Sequence, residues 1–264
     1  MTVASNLYVR ILEHVFLSKF QEGQETIDFE REDIERAATE LGLRSPKNLG
    51  DVIYSFRFRR PLPEAIRARA PQDRIWIIRG AGKSRYRFVA AVDVPLQPNR
   101  LLAEIKVPDS TPGVIAMYAL DDEQALLAKL RYNRLIDIFT GVTCNSLQSH
   151  LRTQVRGLGQ TESDEVYIGV DRRGAHYVFP IQAKGGSDKL SIVQIEQDLA
   201  MCAAKFPALI CRPIAAQFMS DDIIALFDFT DTDRGIAIVS ERHYRLVPAG
   251  SLSEAELVDY GRQQ

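Results

Sequence analysis

The 264-residue sequence has no run of about 18 consecutive apolar residues, the length that a membrane-spanning helix needs. Its N-terminus lacks the basic, apolar and small-residue segments of a secretory signal. Only three cysteines are present, Cys144, Cys202 and Cys211, and no two of them form a CxxC pair, so neither a disulfide framework nor a zinc site is expected. We therefore expect a cytoplasmic protein without a membrane partner.

Two well-known functional motifs are also missing. The chain contains no GxSxG sequence, which excludes the nucleophile elbow of the α/β-hydrolases. The segment Gly80-Ala81-Gly82-Lys83-Ser84 resembles part of a phosphate-binding loop, but Ile77 stands where such a loop requires glycine, and a β-rich run follows instead of a helix. We interpret these glycines as a tight turn.

Charge is nearly balanced overall, at −2, but it is unevenly distributed. Residues 44–87 contain twelve basic and three acidic residues, a local charge of +9, so the rest of the chain carries −11. A basic segment joined to an acidic remainder is typical of a protein that binds nucleic-acid phosphates through one surface.

This basic segment falls in a half with a recognisable order of elements. Hydrophobic spacing predicts helices at residues 6–20 and 31–41, a third from Ser45-Pro46 to about residue 59, and β-strands at 74–79 and 84–91. This order is typical of a winged helix-turn-helix, which we place in residues 1–118. Such a domain binds DNA with its third helix and its hairpin wing. The candidate contacts are Lys47, Asn48, Tyr54, Arg57, Arg59 and Arg60 on the helix and Arg79, Lys83, Arg85 and Arg87 on the wing. The alternative is a domain that only packs against its neighbours.

The second half, residues 119–264, has a mixed α/β pattern. We predict helices over residues 121–140 and 146–155, a β-hairpin at 165–184, a helix at 190–205, and strands at 208–218, 223–229 and 236–239. Residues 95–118, with two short apolar runs at 101–107 and 114–120, are interpreted as a strand pair or a connector.

The hairpin carries the most informative chemical pattern. Glu162, Asp164 and Glu165 stand at the start of its first strand, and Gln182 and Lys184 end its second. Alternation places Gln182 and Lys184 on one face, and folding the hairpin brings them near the acids. Oxygen ligands beside a lysine are what metal-assisted phosphodiester cleavage needs. The same pattern also fits a solvated hairpin with a surface ion pair.

At these residues the sequence resembles the PD-(D/E)XK nuclease superfamily, and most closely its Mrr-like branch, whose motif is QxK. Gln182-Ala183-Lys184 matches this motif, and the resemblance covers residues 156–206. It implies a PD-(D/E)XK restriction-endonuclease-like core with a mixed sheet. Asp164 is then the first candidate ligand for Mg²⁺ or Mn²⁺ and Glu165 the second, with Gln182 and Glu162 as further ligands. Lys184 would orient water or stabilise the transition state.

The resemblance implies a metal-dependent endonuclease that cuts double-stranded DNA in the restriction of foreign or modified DNA. Cutting both strands needs two sites, so we expect a homodimer. One alternative is a non-catalytic DNA-binding regulator on a degenerate nuclease fold. Another is an RNA nuclease or a structural partner in a defence complex. Four other polar residues fit either a substrate contact or a solvated position: His150, Gln194, Glu196 and Gln197.

Overall fold

The N-terminal half combines helices with a small sheet. The structure, a computed structural model, describes residues 3–118, 120, 123–185, 188–219 and 223–262. The first elements are α1 (Val3–Lys19), β1 (Thr26–Glu30), α2 (Arg31–Glu40), α3 (Leu49–Tyr54), a π-helical turn (Ser55–Arg59), α4 (Glu64–Arg67), β2 (Arg74–Gly80) and β3 (Arg85–Val92). Strands β1, β3 and β2 form an antiparallel sheet in that order. The first two expected helices and the β2–β3 hairpin are confirmed, and the third helix begins at Leu49 with Asn48 as its cap, not at Ser45-Pro46. Strand β1 was not expected.

Aromatic packing holds this half together. Phe16 on α1 is fully buried, and its ring centroid lies 5.1 Å from that of Trp76 and 5.1 Å from that of Phe88 in edge-on geometry. Ile11, Leu12 and Phe16 share one face of α1, as helical periodicity predicts. The helices therefore cover one face of the small sheet.

The C-terminal half is built on a large mixed sheet. Its elements are β4 (Glu104–Pro108), α5 (Gly113–Tyr118), α6 (Glu123–Tyr132), α7 (Leu135–Thr140), β5 (Thr143–Val155), β6 (Gly159–Val170), β7 (His176–Lys184), α8 (Ile192–Lys205), β8 (Ile210–Cys211), β9 (Ile214–Phe218), β10 (Ile223–Thr232), β11 (Gly235–Val247) and α9 (Glu254–Arg262). The strand order is β4-β11-β10-β9-β7-β6-β5, with β8 beside β7. The mixed α/β class expected from the sequence is confirmed.

Two connections in this sheet position the site described below. Strand β6 runs antiparallel to both β5 and β7, and the chain then continues from β7 through α8 to β9, which lies parallel to β7. Helix α6 packs on one face of the sheet, and α8 packs on the other. Strand β4 pairs in parallel with β11, so the large sheet begins before the boundary that we place at residues 118 and 119.

The helix predicted at residues 146–155 is wrong, because these residues belong to β5. Leu147, Leu151 and Val155 recur at four-residue intervals and imitate a helical face. Strand β6 has β7 along one edge and needs a partner along the other. Strand β5 pairs with that second edge, from Thr143 opposite Val170 to Val155 opposite Gly159. Tertiary pairing therefore overrides the local pattern.

Two other sequence predictions need smaller corrections. The helix predicted at residues 121–140 is broken into α6 and α7 at Arg134, whose φ of 49° lies in the left-handed region. The strand expected at 101–107 is represented by β4, but residues 113–118 form the short helix α5 instead of a second strand. Residues 119, 121 and 122 lie outside the described part of the chain.

An apolar interface joins the two halves. Side chains from β2, β3 and the π-helical turn pack with residues of α8, β9, β10 and β11 in one cluster, which includes Phe58, Ile77, Val89, Ile192, Ile195, Phe227 and Ile236. Two polar contacts cross the same interface: Ser191 Oγ donates to the Arg57 carbonyl at 3.0 Å, and Arg79 Nε donates to Glu196 Oε2 at 2.8 Å. The N-terminal half is therefore held in a fixed position beside α8.

Candidate active site

The middle of β6, the end of β7 and the start of α6 bring three of the chemically important side chains together. Asp164 Oδ2 accepts a hydrogen bond from the backbone N–H of Ala183 at 2.8 Å, which ties the aspartate to the end of β7. One residue further, Lys184 Nζ donates to Glu123 Oε1 at 2.8 Å. Asp164, Lys184 and Glu123 line a cleft of about 820 Å³ between the two halves. The proximity predicted for Asp164 and Lys184 is therefore observed.

A buried network fixes the side chain of Gln182. Its Nε2 donates to Asp198 Oδ2 at 3.0 Å and to the Glu162 carbonyl at 3.1 Å, while its Oε1 accepts from Gln194 Nε2 at 2.8 Å. Asp198 also accepts a hydrogen bond from Ser163 Oγ. Because a carboxylate only accepts, Asp198 forces the amide N–H groups toward itself and the Gln182 oxygen toward Gln194.

Burial changes the acidity of the two aspartates at this site. Loss of solvation raises the pKa of Asp164 above its ordinary value, although the Lys184 ammonium and the Ala183 N–H oppose the rise. Burial raises the pKa of Asp198 to about 7, against the hydrogen bonds from Ser163 and Gln182. Perturbed carboxyl groups in a cleft are typical of functional sites.

The pairing of β6 with β5 has a gap at Asp164. The ladder pairs Ser149 with Glu165 and Leu151 with Ser163, but not the intervening His150 with Asp164, and His150 has a φ of 49°. Ser163 contacts α8, whereas Glu165 contacts α6, although strict alternation would place both on one face.

Glu165 is not brought to the cleft. Its side chain is fully buried on the α6 side, where Oε1 accepts from Arg131 Nη2 at 2.7 Å and from Ser146 Oγ. This second-choice metal ligand thus forms a buried ion pair. Glu162 lines the cleft at its edge and is paired with Arg152 at 2.9 Å and His150 at 3.4 Å.

The residues predicted to bind DNA have varied surroundings. Lys47 and Lys83 are exposed, and Asn48 caps α3 by accepting from the Gly50 N–H at 3.1 Å.

Arg85 and Arg87 form ion pairs with Glu30 and Asp28 on the surface of the small sheet, and Arg79 is used in the interface between the halves. Arg60 is half-buried near Tyr8.

Arg57 and Arg59 lie elsewhere, on the wall of the cleft opposite Asp164. Arg57 Nε donates to the Ile78 carbonyl at 3.2 Å, and the Arg59 guanidinium lies 4.8 Å from the centroid of the Tyr54 ring. The structure therefore separates the predicted DNA-binding residues into surface groups and cleft-lining groups.

Sequence reasoning missed Glu123 and Asp198. Glu123 contacts Lys184 across 61 positions, a separation that no local motif reveals. Asp198 follows Gln194 by four residues on α8, so both lie on one helical face. The available signal for Asp198 was a charged residue among the buried, mainly apolar residues of α8. Gln194 was considered a substrate contact or a solvated residue, and it contacts Gln182 directly.

The donor atoms at the cleft fit a hard divalent cation. Glu123 and Asp164 supply carboxylates, and oxygen ligands are those that Mg²⁺ prefers. Gln182, predicted as a further ligand, is fully buried and does not line the cleft, and its Oε1 already accepts from Gln194. Gln194 Oε1 is buried without a hydrogen-bond partner in the described part of the chain, so a further oxygen remains unsatisfied here. Within the described ranges, no cluster of three or more His, Cys, Asp or Glu side chains has the geometry of a metal site.

Comparisons of the chain with protein-family models, curated proteins and solved structures gave no match. Across residues 3–118, 120, 123–185, 188–219 and 223–262, no helix is long and apolar enough to cross a membrane.

Proposed function

We propose that this protein is a Mg²⁺- or Mn²⁺-dependent DNA endonuclease of the PD-(D/E)XK type. One observation carries the proposal: Asp164 in the middle of β6, Lys184 at the end of β7 and Glu123 at the start of α6 line one cleft, and the buried Gln182 lies two residues before Lys184. The order α6-α7-β5-β6-β7-α8-β8-β9 is consistent with the core order expected from the resemblance, with α7, β5 and the two-residue β8 as additional elements.

Each side chain would have a separate task. Asp164 and Glu123 would hold the metal ion, which would polarise the phosphate and lower the pKa of a bound water molecule. Lys184, held by Glu123 at 2.8 Å, would orient the attacking water or stabilise the negative charge that develops on the phosphate. Asp198 and Gln194 would keep the Gln182 amide in one orientation.

The N-terminal half would supply the winged-helix DNA-binding domain. Its order of helix, strand, three helices and two strands supports this assignment, as does the local charge of +9. We further propose a cytoplasmic homodimer that cuts duplex DNA in the restriction of foreign or modified DNA. Two copies would provide one active site for each strand.

Plasmid cleavage tests the enzymatic proposal. Wild-type protein is incubated with methylated and unmethylated plasmid and phage DNA in Mg²⁺, Mn²⁺ or EDTA, beside Asp164→Ala, Lys184→Ala and Glu123→Gln. We expect metal-dependent cleavage that all three variants lose. Asp231→Asn, a change of an exposed acid on β10, is the matched control and should cleave normally. Cleavage that survives Lys184→Ala would refute the assignment.

The second candidate is a DNA-binding regulator that does not cleave. It is favoured by the Gln182 amide, whose donors and acceptor are all engaged within the protein, and by the glutamine itself, which removes one negative charge from the metal-binding set. Intact DNA binding with no cleavage under any metal condition would establish this second function.

A further inference from the structure

A short aromatic and basic segment forms the cleft wall that faces the candidate catalytic groups. Tyr54, Arg57, Phe58 and Arg59 line the same cleft as Asp164 and the lysine beside it. The segment alternates rings and guanidinium groups at the junction of α3 and the π-helical turn. Nothing in the proposed hydrolysis uses these side chains, so their exposure to the cleft needs another explanation.

Tyr54 and Arg59 form a flat stack that is open to solvent. The Tyr54 side chain is 45% exposed, unusually high for an aromatic ring on the wall of a cleft. The Arg59 guanidinium lies 4.8 Å from its ring centroid, and the Phe58 ring lies 5.1 Å from it at 59°. In the described part of the chain Arg59 forms no ion pair or hydrogen bond, so its charge is available to a ligand.

The position of this stack is fixed relative to the candidate active site. Arg57 donates to the Ile78 carbonyl and accepts at its own carbonyl from Ser191, the residue that precedes α8. Phe58 packs in the apolar interface between the halves. The wall therefore does not have to move before a ligand reaches both Tyr54 and Asp164.

An aromatic ring beside a guanidinium is the chemistry that binds a nucleobase next to a phosphate. Bases stack on tyrosine faces regardless of sequence, and arginine adds a phosphate or cation–π contact. In a duplex the base faces are covered by their neighbours, so only an unpaired base can stack on a protein ring. A cleft of about 820 Å³ also has the size of a small-ligand site, which suits part of one strand better than a duplex.

We propose that the cleft binds an unpaired nucleic-acid strand, with one base stacked on Tyr54 and Arg59 and a neighbouring phosphate directed toward Asp164 and Lys184. The inference rests on the proposed nuclease function and specifies how that same site binds its substrate: a duplex would occupy it only with one nucleotide unpaired and turned out of the stack. Single-stranded DNA and RNA share this chemistry, so both serve as probes.

Binding is measured by fluorescence anisotropy in EDTA, with the full chain and labelled single-stranded DNA, single-stranded RNA and the matching DNA duplex. Tyr54→Leu should weaken single-strand binding roughly 5- to 150-fold, the effect of losing one stacked base. Tyr54→Phe keeps the ring and should bind like wild type, and Arg59→Ala should weaken binding more than Arg59→Lys. Tyr132→Leu is the matched control, because Tyr132 is 41% exposed but does not line the cleft.

A strand that contains 2-aminopurine provides a direct signature of stacking. Its fluorescence should be quenched by wild type and Tyr54→Phe but not by Tyr54→Leu. Tyr54-dependent binding of either DNA or RNA supports the proposal. Equal affinity of wild type and Tyr54→Leu, or duplex binding as tight as single-strand binding, overturns it.

The two proposals fail in different assays. Because binding is measured in EDTA, it does not depend on catalysis. Tyr54-dependent strand binding without metal-dependent cleavage would refute the proposed nuclease activity and support the proposed single-strand binding site. Cleavage that is lost in Lys184→Ala but unchanged in Tyr54→Leu would support the proposed nuclease activity and refute the proposed single-strand binding site.

Discussion

The buried pair of Glu165 and Arg131 provides a test of how β6 presents its acids. We predict that Arg131→Ala destabilises the protein strongly, because it leaves a carboxylate buried without a cation. Glu165 is 0% exposed, and its Oε1 accepts from Arg131 Nε at 3.1 Å and Nη2 at 2.7 Å. Its Oε2 has no hydrogen-bond partner among the described residues, so without Arg131 the carboxylate keeps only the Ser146 hydroxyl at Oε1.

The expected magnitude follows from the burial of the two partners. Removing one member of a buried ion pair costs about 3–5 kcal/mol. The Arg131 side chain stays 45% exposed, so solvent screens part of the attraction and we expect about 3 kcal/mol, the lower end of this range. For a chain of this size that corresponds to a fall in Tm of roughly 6–12 °C.

Urea denaturation of wild type, Arg131→Ala, Glu165→Leu and the double variant measures the effect. The double variant should recover much of the loss, because neither charge then remains buried. Glu165 bound to a metal ion would behave differently: its variants would lose metal affinity with little change in unfolding free energy. That outcome, or a change below about 1 kcal/mol in Arg131→Ala, would refute the structural role of the pair.

Three further predictions concern the interface and the site. Gly80→Ala should destabilise the protein by about 1–3 kcal/mol, measured by thermal denaturation, because its Cβ would lie 2.5 Å from the Leu158 carbonyl oxygen. Arg79→Ala should cost at most about 1 kcal/mol, and a double-mutant cycle with Glu196→Gln should show the same small coupling, since both side chains are partly exposed. The folded pKa of Asp198, about 7, exceeds its ordinary value of 3.8, so the folded state binds more protons and stability should fall as pH rises between these values. Asp198→Asn should flatten this dependence in urea titrations at about pH 5 and about pH 8, and an unchanged slope would contradict the assignment.

Sequence patterns predicted elements whose side chains repeat with a regular period. The hairpin of β6 and β7 follows from alternation and a turn, and α8 follows from helical spacing, so the approach of Lys184 to Asp164 was predictable. Glu123 was not, because it reaches Lys184 only when α6 packs on the sheet. Glu165 was misplaced relative to the cleft because Ser163 and Glu165 contact opposite faces of the sheet, and periodicity cannot foresee where a strand departs from its alternation.

The position of β4 has a consequence for how the chain folds during synthesis. Glu104 on β4 and Arg245 on β11 form an ion pair across 141 residues. The two strands pair in parallel, from Glu104 opposite His243 to Pro108 opposite Val247. Domains usually fold as they emerge from the ribosome. The N-terminal half can do so, but β4 has no partner until β11 has been made. A ribosome-bound chain would therefore expose β4 as an unpaired strand until β11 has been synthesised, and this interval is when we expect association with chaperones or with neighbouring nascent chains.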